Sequence, residues 1–284
     1  MKTLRNEDPD ATQYLKSIPR YVDTLTRNET PFFLIADDAW VRAIVSIHTE
    51  PYRFFSPAGN KLGRIVVLNP DLSFLDEVLE HARRLVQSEG LSYLVYSNSM
   101  IPDELKRKLE EFEFNEVDHS FSMYLDIHEP PEIPRGIIFR PITPAMRGDF
   151  MEIQSEFFKG SGDPVTEIIQ DNLKTLTDSD LDSMFNEDTS FLAYQDDQIV
   201  GIVVISIDQG LLMSIAVSPK FRGKKISRKL LAFALIRLKE IGWGKAYLRV
   251  HVNNVPAIKL YESFGFVVEN ESLTYVYYPS RKIK

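Results

Sequence analysis

The sequence predicts an α/β chain in which strands and helices interleave, in an order that runs through twice. Three observations carry this. Between residues 211 and 231 the hydrophobic period switches from that of a buried strand to that of a helix. Apolar runs pair into hairpins about Asp37-Asp38 and Asp196-Asp197. The punctuation repeats: Pro70 and Pro219 lie 149 residues apart, while Gly90 with Gly242, and Phe112-Glu113-Phe114 with Phe264-Gly265-Phe266, lie 152 apart.

Taken in order, residues 1 to 30 begin polar and then show helical spacing. Tyr14, Leu15, Ile18, Tyr21, Val22 and Leu25 are the apolar positions and Pro19 is a break or kink. Strands follow at 31 to 35, 40 to 47 and 64 to 68. A helix from about Ser73 to Glu89, a strand at 93 to 96, a helix from Pro102 to about Phe112 and a strand at 121 to 125 close the first unit. Three prolines in His128-Glu129-Pro130-Pro131-Glu132-Ile133-Pro134 favour extended backbone, so a linker and domain boundary belong near residue 130, giving units 1–129 and 130–284. The second unit reads as a strand at 136 to 142, helices at 145 to 158, 164 to 176 and 180 to 185, and a hairpin of 190 to 194 with 198 to 207. Leu211 to Val217 is then a strand. From Ile226, the residues Leu230, Leu231, Ala234, Leu235 and Leu238 place one apolar stripe on a helix to about Glu240. A strand at 245 to 252 and a helix capped by Asn254 and ended by Gly265 follow.

Composition narrows the function. The 284 residues are 44% hydrophobic and 26% charged, an ordinary globular balance, so disorder is not indicated. No stretch suits a bilayer span and the charged N-terminus does not suit a signal peptide, so a soluble, cytoplasmic protein without a membrane partner is expected. The absence of cysteine excludes disulfides, thiolate metal sites and a cysteine nucleophile. Residues 1 to 134 carry net −9 and residues 135 to 284 net +1. An acidic chain with one local basic cluster fits a small anionic ligand and not a nucleic acid.

That cluster lies between the 211 to 217 strand and the following helix. Lys220, Arg222, Lys224, Lys225, Arg228 and Lys229 gather there with no acid among them. A helix N-terminus offers unpaired N–H groups and the positive end of the macrodipole, so a basic loop feeding one is suited to phosphate. It is not a mononucleotide P-loop: position 218 is Ser218 where that motif needs Gly, and Lys225 stands in the Ser/Thr place. The dinucleotide Gly-x-Gly-x-x-Gly is also absent.

Arg222-Gly223-Lys224-Lys225-Ile226-Ser227 resembles the coenzyme A pyrophosphate loop of the GNAT acetyltransferase superfamily, commonly Gln/Arg-x-x-Gly-x-Gly/Ala after a strand ending in Ala-Val-x-Pro. Lys225 replaces the central glycine, and its N–H could still serve if its φ is negative. About thirty residues on, Asn254, Ala257, Leu260, Tyr261, Gly265 and Phe266 are in register with the family's Asn-x-x-Ala-x-x-Leu-Tyr-x-x-x-Gly-Phe signature. The resemblance implies the acyl-CoA N-acyltransferase fold, a mixed and largely antiparallel sheet flanked by helices. It also implies two related copies, the first degenerate: Asp71, Asp76 and Glu77 stand where the second copy has bases, and the first has no counterpart of the phosphate loop.

By resemblance the expected reaction is direct attack of an amine on acetyl-CoA, with the pantetheine arm between two splayed strands. The backbone of Ile215, Ala216 and Val217 would line that arm and supply an oxyanion donor. Arg222, Gly223, Lys224, Lys225, Ile226 and Ser227 would hold the pyrophosphate, and Asn254 would contact the cofactor or an ordered water. Tyr261 would protonate the departing thiolate. The general base stays open among Glu156, Glu167 and His251, since Met213 and Ser214 occupy the strand position where relatives often have a carboxylate. No His or carboxylate spacing suits a metal. The expected acceptor is a small-molecule amine; a non-catalytic acyl-CoA-binding module and a protein N-acetyltransferase are the alternatives.

Overall fold

The computed structural model describes residues 1–27, 29–49, 60–68, 72–99, 101–129, 131–132, 134–160, 163–164, 166 and 189–279. All but residues 164 and 166 of the helix expected at 164 to 176, and the whole of that expected at 180 to 185, lie outside the described residues, as do Glu167, Pro70, Asp71 and the linker's Pro130 and Ile133.

Two compact units form: Met1–Asp118 with Ser272–Lys284, and His119–Glu271. In the first, strands β1 (Lys2–Arg5), β2 (Phe32–Ala36), β3 (Val41–Thr49) and β4 (Lys61–Val67) pair antiparallel in sequence order. Strand β5 (Tyr93–Asn98) runs parallel to β4 through four residue pairs, from Leu62↔Tyr93 to Ile65↔Tyr96. Helices α1 (Thr12–Leu15) and α2 (Pro19–Arg27) precede β2. Pro19 opens α2 instead of kinking a longer helix, because the first helical position needs no N–H donor. Helix α3 (Leu75–Ser88) buries Leu75, Val78, Leu79, Ala82, Leu85 and Val86 in a core with Ile35, Val45, Ile65 and Leu94, and α4 (Asp103–Glu111) adds Leu105 and Leu109.

The expected boundary near residue 130 differs from this division, and the reason is strand pairing. Strand β6 (Asn115–Asp126), read from sequence as closing the first unit, pairs antiparallel through Ser120–Asp126 with β11 (Lys245–His251), and Met123 enters the second unit's core. Strand β12 (Val267–Tyr277) pairs through Leu273–Tyr277 with β5, and Leu273, Tyr275 and Tyr277 enter the first unit's core. Each half of the chain thus gives its last strand to the other unit.

In the second unit β7 (Ile138–Pro141), β8 (Ser190–Gln195), β9 (Gln198–Ser206) and β10 (Leu211–Val217) pair antiparallel in turn. Helix α5 (Arg147–Phe157) covers one face, packing Phe150, Ile153 and Phe157 with Leu192, Ile202 and Ala216. Helix α6 (Ile226–Glu240) covers the other, packing Ile226, Leu230, Leu231, Ala234, Leu235 and Leu238 with Val203, Ala246, Leu248 and Val250. Burying five large aliphatic side chains at roughly 1.5–3 kcal/mol each makes this stripe the main anchor of α6. Its seat on β9 depends on Gly201, where an added Cβ would lie 2.6 Å from Leu230 Cδ1 and 3.1 Å from the Ala216 carbonyl oxygen. Helix α7 (Val255–Glu262) completes the unit.

Candidate functional site

The site begins where two parallel strands part. Strands β10 and β11 pair only at Leu211↔Tyr247 and Leu212↔Leu248, and the register of β10 against β9 then shifts between Leu212 and Ser214, leaving Met213 as a bulge that is 58% exposed. Beyond it β10 keeps β9, and none of its described residues pairs with β11. Alternation then decides which backbone groups face the gap. Ser218 N–H donates to Val200 O at 3.0 Å, so its ladder neighbours Ala216 and Ser214 also address β9. Ile215 and Val217 therefore direct their N–H and C=O groups away from β9, and the Val217 carbonyl accepts from Arg222 Nε at 3.4 Å on that side.

A 3₁₀ turn at Pro219–Phe221 leads from β10 to the basic loop. Gly223 and Lys225 both have positive φ, 78° and 60°. The expectation of a negative φ at Lys225 is thus not met: the residue takes the left-handed conformation that a glycine would take freely, at a cost of about 1–2 kcal/mol. Holding the chain there starts α6 directly after the loop, with the first N–H groups of a fifteen-residue helix at its mouth. Lys220, Arg222, Lys224 and Lys225 are exposed. Some of this charge also has structural work. Arg222 Nη2 donates to Phe157 O at 2.9 Å, tying the loop to the end of α5. Arg228 Nη1 donates to Ser263 Oγ at 2.6 Å, Lys229 Nζ donates to Arg135 O at 2.8 Å, and Lys224 Nζ sits 4.7 Å over the Phe221 ring.

On the far side Asn254 caps α7, its Oδ1 accepting from Ala257 N–H at 3.3 Å. Two turns later Tyr261 is 8% exposed, and burial pushes its phenol up to about 12. The proton therefore stays on Tyr261 at any ordinary pH.

These parts enclose a cavity of about 380 Å³. Of the residues singled out from sequence, Ile215, Ala216, Val217, Arg222, Ser227, Asn254 and Tyr261 line it together. Gly223, Lys224, Lys225 and Ile226 are not in its wall; Ile226 is buried in the core under α6, so only its backbone is available to an anion. Among the base candidates, His251 lines the cavity, whereas Glu156 is exposed and outside it. The sequence reading missed Asp163, Thr166, Phe157, Phe158 and Arg249, all in the wall. Arg249 carried a signal: it stands two residues before His251 and so shares a strand face with it. Asp163 Oδ1 accepts from Thr166 N–H at 3.4 Å, a helix-start pattern readable in Asp163-Pro164.

Residues 149–266 match the Acetyltransferase (GNAT) family. The chain is similar to the [Ribosomal protein bS18]-alanine N-acetyltransferase of Escherichia coli (strain K12), 33% identical over 79 residues, 28% of this chain and 52% of that protein. It is also similar to a mycothiol acetyltransferase of Brachybacterium faecium, 29% identical over 96 residues, 31% of this chain and 29% of that one. The matched part thus spans about half the length of these relatives or less. Among solved structures, a GCN5-related N-acetyltransferase from Sphaerobacter thermophilus aligns with a TM-score of 0.62 at 17% identity, over 95% of this chain and 87% of that one. A tandem GNAT protein from the clavulanic acid biosynthesis pathway aligns at 0.53 and 13% identity, over 89% and 84%. These two likenesses concern the fold, which is the GNAT fold with a mixed, largely antiparallel sheet flanked by helices.

Proposed function

We propose that this chain, whose residues 149–266 match the acetyltransferase (GNAT) family, is an acetyl-CoA-dependent N-acetyltransferase working at the gap between β10 and β11. The observation that carries the reading is the convergence, on one cavity, of an opened parallel strand pair, a helix N-terminus behind a basic loop, and a buried protonated tyrosine.

The residues present fit the co-substrate. The N–H groups at the start of α6, with the exposed cations of the loop, suit a pyrophosphate. The outward backbone groups of Ile215 and Val217 suit the amide-bearing arm, which would add to β10 as a further strand does. When bound, acetyl-CoA supplies an activated acyl carbon. The amine, neutral when it attacks, would bond through its nitrogen to that carbon as the carbon–sulfur bond breaks; the nitrogen's surplus proton would pass to water, and protonation of the departing thiolate would leave an amide and the CoA thiol. Tyr261 keeps its proton to about 12, so it would serve the departing sulfur as a hydrogen-bond donor first and as an acid once charge has built up there.

The acceptor is proposed to be the primary amine of a small molecule. A protein N-terminal amine is the second reading, favoured by the names of two relatives, the bS18-alanine enzyme and an N-alpha-acetyltransferase 30 of Xenopus laevis, 30% identical over 92 residues, 30% of this chain and 34% of that protein. CoA release from acetyl-CoA is to be followed against amines and against peptides with free N-termini. Turnover of the amines supports the first reading and turnover confined to peptides supports the second. CoA binding with no turnover of either would make the chain an acyl-CoA-binding module instead.

A further inference from the structure

The cavity has an unassigned polar wall. Ala246, Leu248 and Val250 of β11 face the core under α6, so Arg249 and His251, on the alternate positions, face the α5 side of the sheet. Phe157 and Phe158 line the cavity from that same side and Asp163 and Thr166 are also in its wall, whereas Tyr261 packs with the α6 core. The acid donor and the polar wall thus approach the gap from opposite faces.

The state of His251 is set by its neighbours. It is 5% exposed, and its Nδ1 accepts from Asn253 N–H at 3.2 Å, while its carbonyl accepts from Asn254 N–H at 2.9 Å. With Nδ1 committed as an acceptor, the neutral imidazole carries its proton on Nε2, at the opposite edge of the ring. His251 in this arrangement is a donor, which removes it from the candidates for general base. Arg249 adds positive charge to the same wall whatever else its guanidinium holds. Asp163 is the one carboxylate among the described residues that line the cavity.

We propose that this wall reads the acceptor, and that the acceptor is a zwitterionic amine of the amino-acid type: its carboxylate meets His251 Nε2–H and Arg249, and its ammonium faces Asp163. This rests on the acetyltransferase reading above and goes further by naming the acceptor's chemical class. A carboxylate presented to this wall gains charge-assisted hydrogen bonds, whereas an amine lacking it leaves the buried His251 ring without that bond. Such sites discriminate steeply.

The test uses the full-length chain, acetyl-CoA, and a matched pair that differs only in the carboxylate, leucine and isoamylamine. CoA binding is measured first by calorimetry. Leucine should exceed isoamylamine in kcat/KM by about 100-fold or more. His251→Asn, whose amide oxygen reaches the place of Nδ1 and keeps the Asn253 bond, should collapse that ratio toward one while still binding CoA. His251→Gln, whose amide N–H reaches the place of Nε2, should keep it. Should His251→Asn fail to fold, Arg249→Gln carries the same expectation. ¹⁵N spectra of the imidazole should place the proton on Nε2. A wild type that binds CoA but treats leucine and isoamylamine alike, whether both turn over or neither does, overturns the inference alone, as does a proton on Nδ1. A wild type that binds no CoA overturns the acetyltransferase reading itself.

Discussion

The two units share a frame and differ at every point where a cleft would need to be. Helix α3 ends with Leu91 N–H donating to Val86 O at 2.9 Å, and α6 ends 152 residues later with Trp243 N–H donating to Leu238 O at 3.0 Å. Helix α4 closes with Phe114 N–H to Leu109 O at 2.9 Å, and α7, again 152 residues on, with Phe266 N–H to Tyr261 O at 3.2 Å. The same offset sets Leu109, fully buried, against Tyr261, and Pro102, the N-cap of α4, against Asn254, the N-cap of α7. The parallel pair β4/β5 stays zipped through four residue pairs where β10/β11 parts after two. Helix α3 opens with Asp76 and Glu77, and Asp76 pairs with Lys108 at 2.9 Å; α6 opens behind Lys224 and Lys225. Closing bonds and core stripes keep the frame in both, while strand separation, a phenol and a basic helix start occur in the second. The contrast agrees with the proposal that the first unit is a degenerate copy, and it places function in the site and not in the fold.

Substitutions can break or sharpen this contrast. The largest effect is expected from Tyr261→Phe, which makes the second unit resemble Leu109 in losing its donor. Turnover should fall by about 100-fold or more while the CoA dissociation constant stays within about twofold. A matched fall in affinity would assign Tyr261 to packing alone. Its titration gives a second handle. Because folding raises the phenol from 10.0 to about 12, its contribution to stability is complete below pH 10 and is lost as pH rises toward 12. Chemical denaturation across that range should show a loss of roughly 2–3 kcal/mol in wild type that is absent in Tyr261→Phe.

Next in size, Arg222→Glu should weaken CoA binding by about tenfold or more, since it reverses a charge at the helix mouth and releases the loop from Phe157 O. Calorimetry at two salt concentrations reads both parts, because only the electrostatic one fades as salt rises. Smaller again is a paired change. Gly201→Ala should cost about 1–3 kcal/mol in urea denaturation, since the new Cβ meets a backbone oxygen as well as Leu230. Gly63→Ala on β4 should cost less, since its Cβ meets only the side-chain ends of Leu94 and Leu91 under 3.0 Å. Equal costs would remove the special seat of α6. The smallest effect is expected from Lys225→Gly, a stabilisation of under about 1 kcal/mol, relief of the positive φ being offset by the added freedom of the unfolded chain.

Much of this was readable where the determinant is local. The strand at 211 to 217 and the helix at 226 to 240 fall where apolar period and basic loop place them. Asn254 caps α7 as an Asn before an apolar helix should, and the splay of β10 from β11, implied by the resemblance, is present. What was not readable depends on distant partners. Nothing local to 115–126 or 267–277 says which unit a strand will join, so the exchange of β6 and β12 was invisible. The short β1 lacks alternation of its own and forms because β2 offers it an edge. Arg222 looked like a phosphate ligand, and its hydrogen bond to Phe157 O depends on the position of α5. Asp163 and Arg249 carried local signals of a helix start and a strand face, but that both meet in one wall depends on tertiary placement.

The central claim is that one CoA binds in the second unit, with its diphosphate at the start of α6. Calorimetric titration of the full chain with CoA tests it most directly. A stoichiometry of one per chain, with the affinity lowered about tenfold or more by Arg222→Glu and untouched by Lys108→Ala in the first unit, is the predicted result. No binding, or two equivalents per chain, would contradict it.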